Sequence, residues 1–226
     1  MASTRVIITV TGHATREFAP NRCAVHLRVA SDGPSREAAA DQSSTAIHAL
    51  TALLTTLDQL ADGPLRRWSL DQVQHSRHRP YSQDGSVQPW LYQSSAGLVA
   101  TFSGLDAVGQ FVDDAAEIAG VEVGHLQWKL TRTARAKAQS RVRKLALHDA
   151  TAKADAYANG LGLKAMHVIA LADPGMLGVS SNPTPQMGQA RMMMASDSMP
   201  AGDGPNLRPE RLRVAVDVDA RFEATT

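Results

Sequence analysis

The histidines of this sequence are candidate metal ligands. His75 and His78 lie three residues apart in an extended stretch, and positions i and i+3 of a strand point to opposite faces of a sheet. We interpret this pair as the solvated end of a strand. The other histidines are scattered, and they have no carboxylate at the spacing that a metal site needs. The histidines therefore predict no metal site.

Methionines accumulate late in the chain, at Met187, Met192, Met193, Met194 and Met199. Thioether sulfur can bind Cu(I), and methionine-rich surfaces also adapt to protein partners. Because the surrounding residues 174–209 are rich in Gly, Ser and Pro and lack periodicity, a flexible loop with incidental methionines is the commoner explanation. We predict no cofactor and no metal, and we keep ligand or metal binding by this loop as the alternative.

Motifs for nucleophilic or phosphate chemistry are missing from the sequence. Gly160 and Gly162 lack the third glycine of a dinucleotide fingerprint and follow a helix, so they predict a helix cap. Cys23 belongs to the apolar set of an alternating strand, which indicates an inert core thiol. No serine lies in a nucleophile elbow, and there is no Walker loop. We therefore predict that the protein is not an enzyme.

Six basic residues lie close together in a predicted helix: Arg132, Arg135, Lys137, Arg141, Arg143 and Lys144. No acidic residue follows them until Asp149, so the segment could bind RNA or another anionic partner. A solvated helix face is the commoner explanation, and the net charge of the chain is only +1. We expect no nucleic-acid binding, and we retain Arg135, Arg141 and Lys144 as candidates for a partner surface.

A second candidate for a partner surface lies at Trp90, Leu91 and Tyr92. Residues 90–102 predict a strand whose buried face is made of Trp90, Tyr92, Ala96, Leu98, Ala100 and Phe102. Together with residues 65–79 they predict a long β-hairpin whose first strand is polar on both faces. Such a strand projects from the core, and the aromatic residues near its tip are types that subunit contacts favour. We therefore predict a homo-oligomer. The alternative is that the aromatic residues fold back onto the protein's own helices, with the strand edge blunted by Arg77, His78 and Arg79.

One long helix and the strand after it organise the rest of the chain. Residues 134–159 contain no Gly or Pro, and 166–171 follow as an apolar strand. The predicted buried stripe is made of small residues: Ala138, Val142, Ala146, Ala150, Ala154 and Ala158. Leu145 and Tyr157 are placed near the same face. A stripe this small lets the helix lie close against a sheet.

The remaining segments predict strands at 6–11, 22–30, 122–131 and 211–223, and helices at 34–61 and 105–119. The fold class is therefore α+β: mainly antiparallel sheets with one short and two long helices, a long hairpin and a flexible late loop. The single cysteine excludes an internal disulfide framework. No run of apolar residues is long enough to span a membrane or to act as a leader. We expect a soluble, cytoplasmic protein without membrane insertion.

Several blocks of the sequence, in order, resemble one protein family. They are Ile8 to Gly12, Ala19 to Asn21, 92–99, 105–109, 112–115, 146–163 and 208–222. Together they resemble the SIMPL domain family, formerly a domain of unknown function, over nearly the whole chain. Two positions depart from the family pattern: Ala14 stands where a second Gly is usual, and Asn21 stands where Asp is usual.

The resemblance implies an α+β fold, a tendency to form oligomers, and links to stress or cell-envelope biology. The family has no established catalytic residues that could be carried over to this chain. Many members carry a signal peptide, which we do not expect in this chain. We predict a single SIMPL-like domain over 5–223, with two α/β subdomains as the alternative division. The function that follows is a non-enzymatic assembly or protein-interaction module. The alternative is a module that binds a ligand, a metal or nucleic acid.

Overall fold

The computed structural model describes residues 5–60, 62–81, 87–177 and 208–226, and these ranges form an α+β fold, as predicted. The strands are β1 (Arg5–Phe18), β2 (Arg22–Gly33), β3 (Leu65–Leu70), β4 (Gln74–His78), β5 (Leu91–Phe102), β6 (Val121–Lys129), β7 (Ala165–Ala172) and β8 (Leu212–Thr225). The helices are α1 (Arg36–Asp58), α2 (Ala107–Ala116) and α3 (Arg132–Gly160). The elements group into two compact units: β1, α3, β7 and β8 form the first, and β2 to β6 with α1 and α2 form the second.

In the first unit, an antiparallel sheet in the order β1-β8-β7 carries α3 on one face. All six residues of the predicted small stripe are buried, because α3 packs on β1 and β8 along that stripe. The prediction for Leu145 and Tyr157 is wrong, since these side chains are 36% and 61% exposed. Each follows a stripe residue by three positions and is turned about 60° away from the sheet.

The end of α3 is a Schellman cap built on one glycine. Gly162 has φ +71, and its N–H donates to the carbonyl of Asn159 at 3.1 Å. The N–H of Leu163 donates to the carbonyl of Ala158 at 2.9 Å, and both residues lie in the same apolar cluster. Gly160 remains in the helix. The cap thus uses the second of the two predicted glycines and turns the chain into β7.

In the second unit, a sheet in the order β3-β5-β2-β6 packs against α1 and α2. The two phenylalanines of the core, Phe102 and Phe111, lie 4.8 Å apart between ring centroids. A buried hydrogen bond of 2.7 Å between the hydroxyls of Ser43 and Ser94 joins α1 to β5. Cys23 is fully buried, and burial raises the pKa of its thiol to about 11. The predicted core position of Cys23 is confirmed, and the raised pKa agrees with an inert thiol.

The predicted hairpin is present, with its first strand divided in two. β3 and β4 both pair antiparallel with β5, and between them the N–H of Asp71 donates to the carbonyl of Gly97 at 2.8 Å. The alternating residues of β5 from Ala96 to Phe102 are buried, as predicted. Trp90 and Tyr92 were placed on the same buried face. Trp90 instead precedes the strand and is 39% exposed, while Tyr92 is half buried. β5 pairs there with β4, whose side chains are all exposed.

Candidate interaction surfaces

The tip surface of the hairpin comprises Arg77, Arg79, Trp90, Leu91 and Tyr92. Both arginines contact the indole: their guanidinium carbons lie 4.5 Å and 4.3 Å from the centroid of the Trp90 ring. Cation–π contacts of this kind contribute roughly 0.5–1 kcal/mol each at exposed sites. The strand register places Leu91 opposite His78 and Tyr92 opposite Arg77. The contacts therefore hold the aromatic side chain in place while part of it remains open to solvent.

The sequence leaves two alternatives for Trp90: an exposed partner surface, or packing against the protein itself. The structure has features of both. The ring of Trp90 is covered in part by Arg77 and Arg79 of its own hairpin. These are two of the basic residues that were expected to protect the strand edge. Trp90 is still 39% exposed, and Tyr81, two residues after Arg79, is 90% exposed. The hairpin consequently presents aromatic and cationic groups side by side, which is the composition enriched in protein interfaces.

The basic cluster of α3 is divided by the buried stripe. Arg141 and Lys144 are three residues apart and lie on one side of the helix, whereas Arg135 lies on the other. All three side chains are exposed. In the described part of the chain, the ion pair on this helix joins Asp149 to Lys153 at 2.7 Å, and none involves the six basic residues. The cluster is a solvated cationic surface in the first unit, and the tip surface belongs to the second.

The histidine pair on β4 is exposed, in agreement with the predicted solvated strand end. Among the described residues, no three His, Cys, Asp or Glu side chains lie close enough to hold a metal ion. The methionines at 187–199 lie outside the described residues. Binding by that segment therefore stays a hypothesis from the sequence.

The sequence analysis did not identify a row of polar side chains on the face of the first sheet that lies opposite α3. The imidazole of His13 contacts Asp217 through Nδ1, and its Nε2 lies 3.1 Å from the hydroxyl of Thr15. Hydroxyl, imidazole and carboxylate in this order form the relay of a serine hydrolase. Here the His13 and Asp217 side chains are 54% and 50% exposed, whereas the carboxylate of such a relay is buried. We interpret the row as polar pairing that stabilises the sheet. The only signal of this row in the sequence is the i, i+2 spacing of His13 and Thr15. The pairing with Asp217 could not be predicted, because neither strand alone determines the cross-strand register.

A stacked histidine pair in the second unit was also missed. The rings of His26 and His125 lie 4.1 Å apart at 13°, because a bulge in the β2–β6 pairing places His125 beside His26. Nε2 of His26 is buried without a hydrogen-bond partner in the described structure. Burial lowers the pKa of His26, and the positive charges of His125 and Lys129 lower it further. His26 is therefore held neutral near pH 7.

The second unit also contains a cavity of about 530 Å³ beside the first half of α1. It is lined mainly by small side chains, with Asp32, Gln42 and Thr45 as polar members. The carboxylate of Asp32 already accepts a hydrogen bond of 3.1 Å from the side-chain amide of Gln93. This cavity is the feature that favours the small-ligand alternative.

The fold and these surfaces define an α+β protein with exposed cationic and aromatic groups. None of its helices, within the described residues, is long and apolar enough to cross a membrane. The sequence profile of the SIMPL family, described as a protein of unknown function (DUF541), matches residues 8–222. The chain therefore belongs to the SIMPL family. No curated protein matches the chain.

Asn21, at a position where the resemblance implies Asp, has a structural role here. Its side-chain carbonyl accepts a hydrogen bond of 2.8 Å from the backbone N–H of Thr131. Its NH₂ group donates to the hydroxyl of Thr131 at 3.2 Å. A carboxylate could accept the first bond but could not donate the second. The amide at this position ties the start of β2 to the end of β6.

Proposed function

We propose that this SIMPL protein is a non-enzymatic interaction module that assembles with copies of itself through the tip surface of the hairpin. The observation that carries the proposal is the exposed Trp90 held by the guanidinium groups of Arg77 and Arg79. A stress- or envelope-related role is part of the same proposal, and the family resemblance supports it.

The physical case rests on what an exposed indole contributes to an interface. Trp, Tyr and Arg are the residue types that dominate binding energy when a partner removes them from water. The two arginines fix the ring before any partner arrives, so less side-chain entropy is lost on association. The neighbouring β4 has only exposed residues, which leaves room for a second protein against the tip.

Light scattering over a wide concentration range tests the assembly. We expect a mass above that of one 24.1 kDa chain, and a decrease when Trp90→Ser and Tyr92→Ser are combined. Losing one aromatic anchor costs about 2 kcal/mol, which is roughly thirtyfold in the dissociation constant. Tyr157→Ser is the matched control, because Tyr157 is an exposed aromatic residue of the other unit. Circular dichroism establishes that each variant is folded.

The outcome that contradicts the proposal is a mass equal to one chain at every concentration. A larger mass that Tyr157→Ser lowers as much as the Trp90 and Tyr92 pair does would also exclude the tip surface as the contact.

The second candidate function is binding of an anionic partner by the basic cluster of α3. It is favoured by the absence of ion pairs to these six side chains in the described structure. Binding of single-stranded RNA, measured by fluorescence anisotropy against salt concentration, tests it. We expect no complex at physiological salt. A tight complex whose salt dependence becomes shallower in the Arg141→Ala, Lys144→Ala double variant would place this function ahead of assembly.

A further inference from the structure

The edge strands of the two sheets are protected unequally. On β1, the carbonyl of Thr11 accepts a hydrogen bond of 2.9 Å from Nζ of Lys153, and the N–H of His13 donates to Asp149 at 2.8 Å. Two side chains of α3 thus occupy backbone groups that would otherwise be open to another strand. Charged side chains on an edge discourage pairing in the same way.

In the second unit each edge strand carries such charges: Arg66 and Arg67 on β3, Arg77 on β4, and Glu122 and Lys129 on β6. β7 differs from all of them. Its only titratable residue is His167, whose Nε2 lies 3.8 Å from the Glu223 carboxylate of its own chain. Among the described edge strands, β7 is the one without a Lys, Arg, Asp or Glu.

The apolar side chains of β7 are also exposed on the helix side of the sheet. Val168 and Leu171 lie opposite Phe222 and Ala220 of β8, and residues directly opposite each other share a face. Phe222 and Ala220 are buried beneath α3, whereas Val168 and Leu171 are 56% and 52% exposed. Among the described residues, α3 therefore covers β1 and β8 and leaves Val168 and Leu171 exposed on the β7 flank of the sheet.

We propose that β7 pairs with β7 of a second copy of this chain, in antiparallel orientation about a two-fold axis. Two uncharged strands meet without like-charge repulsion, and an isologous contact needs one self-complementary edge. The pairing extends the sheet from three strands to six and brings the exposed Val168 and Leu171 of both copies together. A bulge in the pairing with β8 at Ile169 divides the edge, so regular pairing uses the residues on either side of it.

This contact goes beyond the proposed function, because β7 belongs to a different unit from the hairpin and does not require the tip surface to be an interface. Two separate self-contacts on one chain build assemblies larger than a dimer.

Cysteine scanning along β7 tests the contact. Cys23 is fully buried and has a raised pKa, so a cysteine introduced at each position from Ala165 to Ala172 is the only reactive thiol. Opposite residues of an antiparallel pair have Cα atoms about 5 Å apart, which is within disulfide range. Since only the residue on the two-fold axis faces its own copy, we expect a disulfide-linked dimer at one position, or at two neighbouring ones. Ile7→Cys, on the opposite edge strand and 56% exposed, is the control.

A second measurement compares Val168→Lys with Ile7→Lys by light scattering in the Trp90→Ser, Tyr92→Ser background. We expect Val168→Lys to weaken self-association at least about tenfold and Ile7→Lys to leave it unchanged. Cross-linking at no β7 position above the Ile7→Cys control would overturn the proposal, as would equal cross-linking at all of them. Dissociation by the hairpin variants alone, with no β7 cross-link, would support the tip surface and exclude β7.

Discussion

Gly12 of β1 lies so close to α3 that a β-carbon built on it would be 2.0 Å from the carbonyl oxygen of Ala146. The same β-carbon would lie 2.7 Å from the backbone nitrogen of Ala150. The glycine on the strand and the small stripe on the helix therefore set the distance between the two layers together. Neither layer can move outward without opening a void in the core.

The first prediction concerns Gly12→Ala. The added methyl group meets helix backbone, which cannot yield as a flexible side chain would, so we expect a loss of about 1–3 kcal/mol in the free energy of unfolding. Urea titration measures it. Gly109→Ala is the matched control, because Gly109 lies within α2 and a β-carbon there has no atom within 4 Å. That change should be neutral or stabilising by roughly 0.5–1 kcal/mol. Equal effects would refute the close approach.

The second prediction concerns the helix side of the same contact. Ala150 is fully buried, so Ala150→Leu overfills the interface and should lower the free energy of unfolding by about 1–3 kcal/mol. Ala152→Leu is the same change on an exposed face of α3 and should have little effect. Differential scanning calorimetry of both variants gives the comparison. Similar shifts in Tm would mean that the stripe does not face the sheet.

The third prediction concerns the edge cap of β1, by which we mean the hydrogen bonds of Lys153 and Asp149 to the backbone of Thr11 and His13. The hydrogen bond from Lys153, followed by that from the His13 backbone, lowers the pKa of Asp149 below its ordinary value of 3.8. A lowered carboxyl pKa contributes stability above the unfolded pKa, and this stability is lost as pH falls through the folded pKa. Asp149→Asn should therefore be less stable than the wild type at neutral pH, with the difference shrinking below about pH 4.

Urea midpoints across this pH range measure the effect. Asp155→Asn, an exposed acid on the same helix, serves as the control and should leave the pH profile unchanged. A constant difference between Asp149→Asn and the wild type at all pH values would show that the charge of Asp149 is not part of the cap.

The fourth prediction uses the lowered pKa of His26. The unfolded state takes up a proton near pH 6.5 while folded His26 does not, so its contribution to stability is present above that pH and is lost as pH falls through the folded pKa. His26→Phe cannot titrate and should flatten the decline in stability below about pH 6.5. His48→Phe, on an exposed position of α1, should retain the wild-type decline. Thermal melts from neutral to mildly acidic pH decide between the two results.

Much of the fold could be predicted because its signals are local. The alternation in β8 and the four-residue repeat of α3 report which side chains meet water, and burial follows the second pattern at all six positions. The candidate site was less predictable. Trp90 was identified by its type, but its contact with Arg77 and Arg79 depends on the pairing of β4 with β5. The prediction that Leu145 and Tyr157 lie near the buried face was wrong, because the helical periodicity does not show how wide a face the sheet covers.

By itself, the sequence determined the α+β class, the small stripe that faces a sheet, and the hairpin with aromatic residues near its tip. Only the tertiary structure decided the strand order, and with it which strands lie at an edge. The sequence predicts β7 as an apolar strand, yet the order β1-β8-β7 places it outside the cover of α3 with Val168, Ile169 and Leu171 exposed. The physical reason is that strand pairing joins residues far apart in the chain. Periodicity records only whether a side chain is apolar, not which neighbour covers it.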